Sequence, residues 1–257
     1  MRIARCSDGG TPVWCEVDGD DVWVLEAPPE GELPRDGARR TGSSPLANPR
    51  FETPTDPGIV LIAMENFPSE RNPVPPPRPK LFPKGIRTLV RYDDAVVLPS
   101  EPSRVMAEPE MAVVIGTTAR NIAPEDVDDY VYGFACFNDV TAVFDDGREF
   151  DFFQAKGRDT FGPYGPWVET SVRPQDTIDG LKITCRVDGD VVIEDSTRNY
   201  LCDVRSVVAE ATTTLTLQPG DVISLGSPLP PPFVTADHTV EFEIEGIGTL
   251  RNRFVSS

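Results

Sequence analysis

The chain has 257 residues, 39% hydrophobic and 8% aromatic, enough for one large core or two domains and too apolar for disorder throughout. Its 24 Lys and Arg against 42 Asp and Glu give a formal charge of -18, which repels phosphate backbones and anionic lipid surfaces. The densest basic run, residues 35–40, is diluted by Asp36 and Gly37, so neither nucleic acid nor membrane is an expected partner, and an anionic small substrate needs local compensation.

In chain order, residues 1–8 contain no apolar signal core, and no later run approaches the roughly 18 apolar residues of a membrane span, so a cytoplasmic location is expected. The five cysteines, Cys6, Cys15, Cys136, Cys185 and Cys202, are odd in number and irregular in spacing. Reduced thiols are expected rather than a disulfide framework or a zinc site. Residues 1–25 read as short strands broken at Asp8-Gly9-Gly10 and Asp18-Gly19-Asp20. Residues 13–17 and 22–25 flank the second break as a hairpin, with Trp14 and Trp23 as core anchors. Residues 26–57 are rich in Pro, Gly, Arg and Glu without sustained periodicity, which suits an exposed connection. The expected organisation is a small amino-terminal β domain with its connection over residues 1–57, and a main domain over residues 58–257.

Residues 58–64 read as a buried strand, followed by a polar segment at 65–72 and a proline-rich tract at 73–79. That succession fits an active-site loop or lid, and equally a plain surface connection. Residues 79–84 return the chain to order, and residues 96–99 form a short strand. Residues 105–116 then read as one strand, apolar and partly β-branched from Met111 to Ile115 and closed by Gly116. Alternation puts Glu108 and Glu110 on one face, about 6.5 Å apart. Two such carboxylates repel unless positive charge lies between them. A hard divalent cation would satisfy them, with Asp139 as a third oxygen ligand and open positions for an oxygen-rich substrate. By spacing alone, solvated strand residues are the simpler reading, and Pro109 points to an edge strand or a bulge.

Residues 123–132 read as a short helix with Pro124 in its first turn and Gly133 as its stop. Residues 134–143 follow as a buried strand carrying Asn138 and Asp139, then a polar loop at 145–151. Residues 152–161 are an aromatic stretch bringing out Lys156, and residues 162–167 a turn-rich tract leading into a strand at 167–170. Residues 181–187 and 191–194 form a hairpin. Asp203 caps a helix to about Thr213, with Val204, Val207, Val208 and Ala211 on one stripe. Residues 217–226 are a turn and strand, and the last strands lie at 239–245 and 249–254. Mostly strands with frequent Pro and Gly punctuation predict a β-dominated α+β fold.

Several stretches together resemble the fumarylacetoacetate hydrolase family: residues 81–84, 108–116, 130–140, 155–156 with 159–167, 217–226 and 243–248. Their order and spacing carry the resemblance over most of the chain after residue 58, while residues 1–25 resemble the small amino-terminal domain of many members. The resemblance implies a mixed β-roll, usually a homodimer, with Mg2+ (or Mn2+) on carboxylates matching Glu108, Glu110 and Asp139. It also implies cleavage, decarboxylation or tautomerisation of a 1,3-diketone or 2-oxo acid substrate through a metal-stabilised enolate. Lys156 matches the family lysine that adds positive charge near the same oxygens. Ser227 stands where many members have a carboxylate-binding threonine, and Asn66 and Phe67 match the start of a segment resembling N-Y-x-x-H, giving further substrate-binding candidates.

Departures from the family pattern bear on the reaction. The histidine of that segment is Glu70 here, and its glutamate partner is Pro73. The family's water-activating pair is therefore not carried over, and Glu70 becomes the candidate replacement base. His238 reads as a loop residue. Val143 replaces an arginine found shortly after the Asn-Asp pair, and Leu229-Pro230-Pro231-Pro232 replaces a glycine-rich tract, so a different substrate is expected. The expected function is a metal-dependent enzyme, with carbon–carbon hydrolysis first and decarboxylation or isomerisation as alternatives. A retasked lyase or cyclase and a non-catalytic descendant are the other readings. Retention of the carboxylates and Lys156 opposes the last, because a scaffold gains little from a buried anionic cluster.

Overall fold

The computed structural model describes residues 1–7, 10–101 and 103–257. The fold is β-dominated α+β, as the punctuation predicts, with sheets of 11, five and three strands among the described residues. In the large sheet Pro109–Ile115 lies between Val131–Asn138 and Val222–Ser224, and beyond the latter come Val60–Met64 and Lys80–Lys84. Every residue of Pro109–Ile115 is buried. Its alternation splits the interior: Met111, Val113 and Ile115 join the larger core with Phe134, Phe161 and Phe242, while Ala112 and Val114 pack in a second core with Phe137 and Tyr164.

The expected single strand over residues 105–116 is instead two. Ser103–Met106 belongs to the three-stranded sheet and Pro109–Ile115 to the large one, so the chain changes sheet across Ala107 and Glu108. Pro109, without an N–H, opens the second strand, where its missing donor breaks no ladder. The strand is interior, which corrects the expectation of an edge. A matching step occurs downstream: Val131–Asn138 pairs with Pro109–Ile115, whereas Thr141–Phe144 pairs with Ser103–Met106. The two crossings are tied together by Asp139 N–H donating to Glu108 O at 3.0 Å. This seam between sheets is where the acidic residues lie.

Elsewhere local expectation and structure differ for identifiable reasons. Residues 123–132 form only the 3-10 turn Pro124–Asp129. Gly133 is no helix stop but part of Val131–Asn138, where an added Cβ would come 2.5 Å from Glu169 O; a close strand approach demands the glycine. The turn-rich tract at 162–167 lies within the strand Gly162–Glu169. Helices Phe152–Lys156 and Pro174–Asp179 were not anticipated, whereas Val204–Thr214 starts as expected, with Asp203 accepting from Ser206 N at 2.8 Å.

The amino-terminal strands are joined to the main sheet, Arg2–Ser7 pairing with Gly162–Glu169 through Arg2↔Glu169 and Ile3↔Val168. They keep a small core of their own, built on Ala4, Cys6, Cys15, Val17 and Val22. The hairpin Val13–Asp18 with Asp21–Val24 forms as expected. In the expected break at Asp8-Gly9-Gly10, Asp8 and Gly9 lie outside the described residues. Trp14 and Trp23 are half-buried rather than core anchors, each covered by an arginine: Arg5 at 5.9 Å and Arg40 at 5.0 Å from the ring centroids. All five cysteines are buried and unpaired. No helix among the described residues is long and apolar enough to cross a membrane.

Candidate active site

The sheet seam brings Glu108, Glu110 and Asp139 together, with one oxygen of each within 4.8 Å of the others. Each is held by a different neighbour. Glu110 Oε2 accepts from Ser224 Oγ at 2.6 Å and from Gly226 N at 3.0 Å. Glu108 Oε2 accepts from Thr141 Oγ1 at 3.0 Å and from the Lys156 ammonium. Asp139 is gripped on both sides, by Lys84 Nζ on Oδ1 at 2.6 Å and by Lys156 Nζ on Oδ2 at 2.5 Å. The Oε1 atoms of Glu108 and Glu110 accept no hydrogen bond from the described residues and remain available to a ligand.

Charge does not balance here. Burial, then the charges of Asp139 and Glu108, push the Glu110 carboxyl up to about 8. Burial also raises Glu108, against the opposing pull of Lys156. For Asp139 burial acts upward, but the two lysines outweigh it and hold the carboxyl below its ordinary value. Lys156 is held above its ordinary value because Asp139 and Glu108 outweigh its desolvation. Burial lowers Lys84, fully enclosed and beside the charge of Lys156. With all three carboxylates ionised, one firmly charged lysine and one weakened lysine would leave excess negative charge in a low-dielectric pocket. One further cation, or a proton on Glu110, is what the arrangement lacks.

The trio lies in a cavity of about 480 Å³ that is lined by every residue given a metal, catalytic or substrate-binding role from the sequence: Glu108, Glu110, Asp139, Lys156, Glu70, Ser227, Asn66 and Phe67. Their situations differ. Ser227 is half-buried, its hydroxyl donating to Pro228 O at 3.2 Å. Asn66 is buried and its amide is occupied: Nδ2 donates to Cys202 O and Leu225 O at 2.9 Å each, and Oδ1 accepts from Cys202 N at 2.8 Å. In this structure that amide braces the loop against Cys202 and Leu225. Phe67 is buried against Tyr200, with centroids 4.8 Å apart. Glu70 is exposed on the turn closed by Ser69 N–H donating to Asn72 O at 3.1 Å.

The loop at 65–72 lines the cavity, whereas none of residues 73–79 does, so the proline tract is not a wall of this site. Arg78 within it is bound to Glu210 at 2.7 Å. His238 lies outside the cavity, accepting from Thr235 N at 3.3 Å. Sequence reasoning gave no role to Lys84, Thr141 or Ser224. For Lys84 a signal existed, a lysine ending an apolar strand stretch, but a strand-end lysine ordinarily reaches water.

A family model described as the fumarylacetoacetate (FAA) hydrolase C-terminal region matches residues 62–255. A mitochondrial oxaloacetate tautomerase of Rattus norvegicus is 35% identical over 199 residues, 72% of this chain and 62% of that protein. A solved 5-carboxymethyl-2-hydroxymuconate delta-isomerase from Mycobacterium smegmatis matches over 100% of both chains, with a TM-score of 0.88 and 30% identity. Maleylpyruvate hydrolase from Sphingobium sp. SYK-6, solved with manganese(II) and pyruvate, also matches over 100% of both chains, with a TM-score of 0.80 and 28% identity.

Proposed function

We propose, from the premise that the chain belongs to the fumarylacetoacetate hydrolase family, that it is a divalent-metal-dependent enzyme that enolises a 2-oxo acid or 1,3-dicarbonyl substrate. Tautomerisation or isomerisation is the primary reaction in this reading. The observation that carries it is the convergence of three carboxylates and Lys156 in one cavity, with Glu70 also in its lining. Hydrolysis needs a positioned water as well. Glu70 has no hydrogen-bonded partner among the described residues to form such a water-activating pair, whereas moving one proton between carbon and oxygen needs a single base. Carbon–carbon hydrolysis is kept as a second reading because the maleylpyruvate hydrolase shares the fold along its whole length.

The residues fit a hard cation. The donors are all carboxylate oxygens, two of them without hydrogen bonds, and a cation would take the place of the proton that burial otherwise favours on Glu110. Glu108, Glu110 and Asp139 would hold Mg2+ or Mn2+, leaving positions for water and substrate oxygens. When bound, such an ion supplies Lewis-acid polarisation of a chelating oxygen pair. The chain supplies the rest. Lys84 fixes Asp139, and Ser224 and Gly226 fix Glu110, which orients both carboxylates. Lys156 places an ammonium where negative charge develops on the substrate oxygen. Glu70 takes the proton from the carbon beside the carbonyl; the electron pair moves onto oxygen, and the proton returns at the alternative position.

The test is keto–enol conversion of oxaloacetate, followed by ultraviolet absorbance, and turnover of acylpyruvates, each with Mg2+ or Mn2+ and with an EDTA-treated control. Acceleration that requires the metal, without loss of carbon dioxide or carbon-bond cleavage, supports isomerisation. Metal-dependent cleavage products favour the hydrolytic reading, and absence of metal binding by calorimetry overturns both.

A pH dependence follows from Glu110. Its folded value, about 8, lies above the ordinary carboxylate value of 4.5. A raised carboxyl contributes stability that is complete below the unfolded value and is lost as pH rises to the folded one. Glu108 is shifted in the same direction, while Asp139, shifted oppositely, acts below this window. The metal-free protein should lose melting temperature between about pH 5 and 8. Saturating Mn2+ should flatten that slope, because it binds the ionised carboxylates. Thermal unfolding with and without Mn2+ across this range checks it, and parallel curves would refute it.

A further inference from the structure

We infer that the cavity selects substrates carrying a ring-sized apolar substituent beyond the chelating head. This rests on the proposed function and adds a substrate class to it. Exposed apolar residues scattered singly need no explanation, but a contiguous group does. Here Phe150, Phe152 and Leu229, exposed by 58%, 40% and 49%, all line the cavity that holds the acidic trio. Phe150 and Phe152 join Phe82 in a wall: the Phe152 ring is 4.6 Å from Phe82, and Phe150 stands edge-on to Phe152 at 5.0 Å.

The wall is coupled to the chemistry by one turn of helix. Asp151 caps Phe152–Lys156, its carboxylate accepting from Gln154 N at 2.8 Å. Phe152 and Lys156 are thereby four positions apart on one helix face. Lys156 Nζ lies 5.8 Å from the centre of the Phe82 ring. A head group bound beside Lys156 therefore extends its next carbons along aromatic surface within one ring's length. Phe153, exposed by 79%, lies outside the cavity and marks the limit of the wall. The polar side of the cavity is formed by Glu65, Glu70, Arg71 and Asn72. Glu65 is paired with Lys80 at 2.8 Å, so among the described residues on that side Arg71 is the cation that would attract a second substrate carboxylate.

The experiment is calorimetric binding of pyruvate, phenylpyruvate and 2-oxoglutarate to the Mn2+-loaded protein. These share the 2-oxo acid head and differ in a methyl, a ring or a second carboxylate. Phenylpyruvate should bind about tenfold or more tighter than pyruvate, the effect of burying roughly 60–100 Å² of ring surface. Phe150→Ala and Phe152→Ala should each reduce that ratio, and Phe153→Ala should leave it unchanged. The Phe150 variant keeps the test valid if loss of Phe152 disturbs the helix. Equal binding of pyruvate and phenylpyruvate, or a ratio indifferent to both wall substitutions, overturns the inference and leaves the proposed function standing. Tightest binding of 2-oxoglutarate overturns it in favour of Arg71. Failure of all the ligands to bind in the presence of Mn2+ removes the proposed function and this inference with it.

Discussion

Replacing Lys156 by methionine is expected to lower turnover by about 10²–10³ and, without added metal, stability by about 3–5 kcal/mol. The stability loss comes from the partners left behind. Lys156 Nζ is hydrogen-bonded to Glu108 Oε2, Asp139 Oδ2 and Thr141 Oγ1, and its residue is only 8% exposed. Removing it leaves buried carboxylates facing one another with only Lys84 in opposition. For a chain of this length the fall in melting temperature should be on the order of 10 °C. Mn2+ should restore more stability to the variant than it adds to the wild type, because the uncompensated anions have more to gain from a cation. Turnover should not return with the metal, since the ammonium beside the substrate oxygen is still missing.

Lys156→Arg separates these effects further. A guanidinium keeps the charge but not the compact point geometry, so it should recover much of the stability and little of the rate. Thermal unfolding and steady-state rates, each with and without Mn2+, read both quantities. If Lys156→Met loses stability yet turns over normally once metal is added, Lys156 is a charge balance for the fold and has no part in the reaction.

That site was legible in outline because strand alternation works over short distances. Glu108 and Glu110 are two residues apart, and their same-face reading survives even though Glu108 precedes the strand. What alternation could not reveal was the change of sheet at Ala107 and Glu108. Pro109 is compatible with an edge, a bulge or a first strand position, and only the partner strands decide among them. The role of Lys84 was hidden for a related reason. Its meaning lies in Asp139 and the Lys156 carbonyl, contacts between strand, seam and helix that no local pattern encodes. Phe152–Lys156 is five residues long, too short to show a helical period, and its cap Asp151 stood among other acidic loop residues.

The longer elements with local signals were easier. Val204–Thr214 has a capping aspartate and an apolar stripe, and Lys182–Val187 with Asp190–Ser196 has alternation around an Asp-Gly turn. Gly133 shows the opposite case. Its neighbours made a helix stop reasonable, yet the glycine answers to Glu169, a residue on another strand. The amino-terminal strands likewise joined the main sheet through pairing with residues far along the chain.

Glu70→Gln is expected to lower the proton-transfer rate by about 10²-fold while metal affinity stays unchanged. The substitution keeps side-chain size and removes the basic carboxylate. Glu70 lines the cavity but lies outside the trio, so the ligands of the metal are untouched. Its turn is tied independently of its side chain: Ser69 N–H donates to Asn72 O, and Asn72 N–H to Ser69 Oγ, both at 3.1 Å. A folded, metal-binding variant is therefore the expected outcome, and its rate isolates the base. The two reaction types should respond differently. Tautomerisation loses its proton carrier, and exchange of substrate carbon-bound hydrogen with deuterated solvent, read by NMR, should slow with it. Decarboxylation needs no proton removed from carbon, so any metal-dependent decarboxylation should persist in the variant. If hydrogen exchange and turnover both continue at the wild-type rate, Glu70 is a rim residue, and the base must be sought among the other groups lining the cavity.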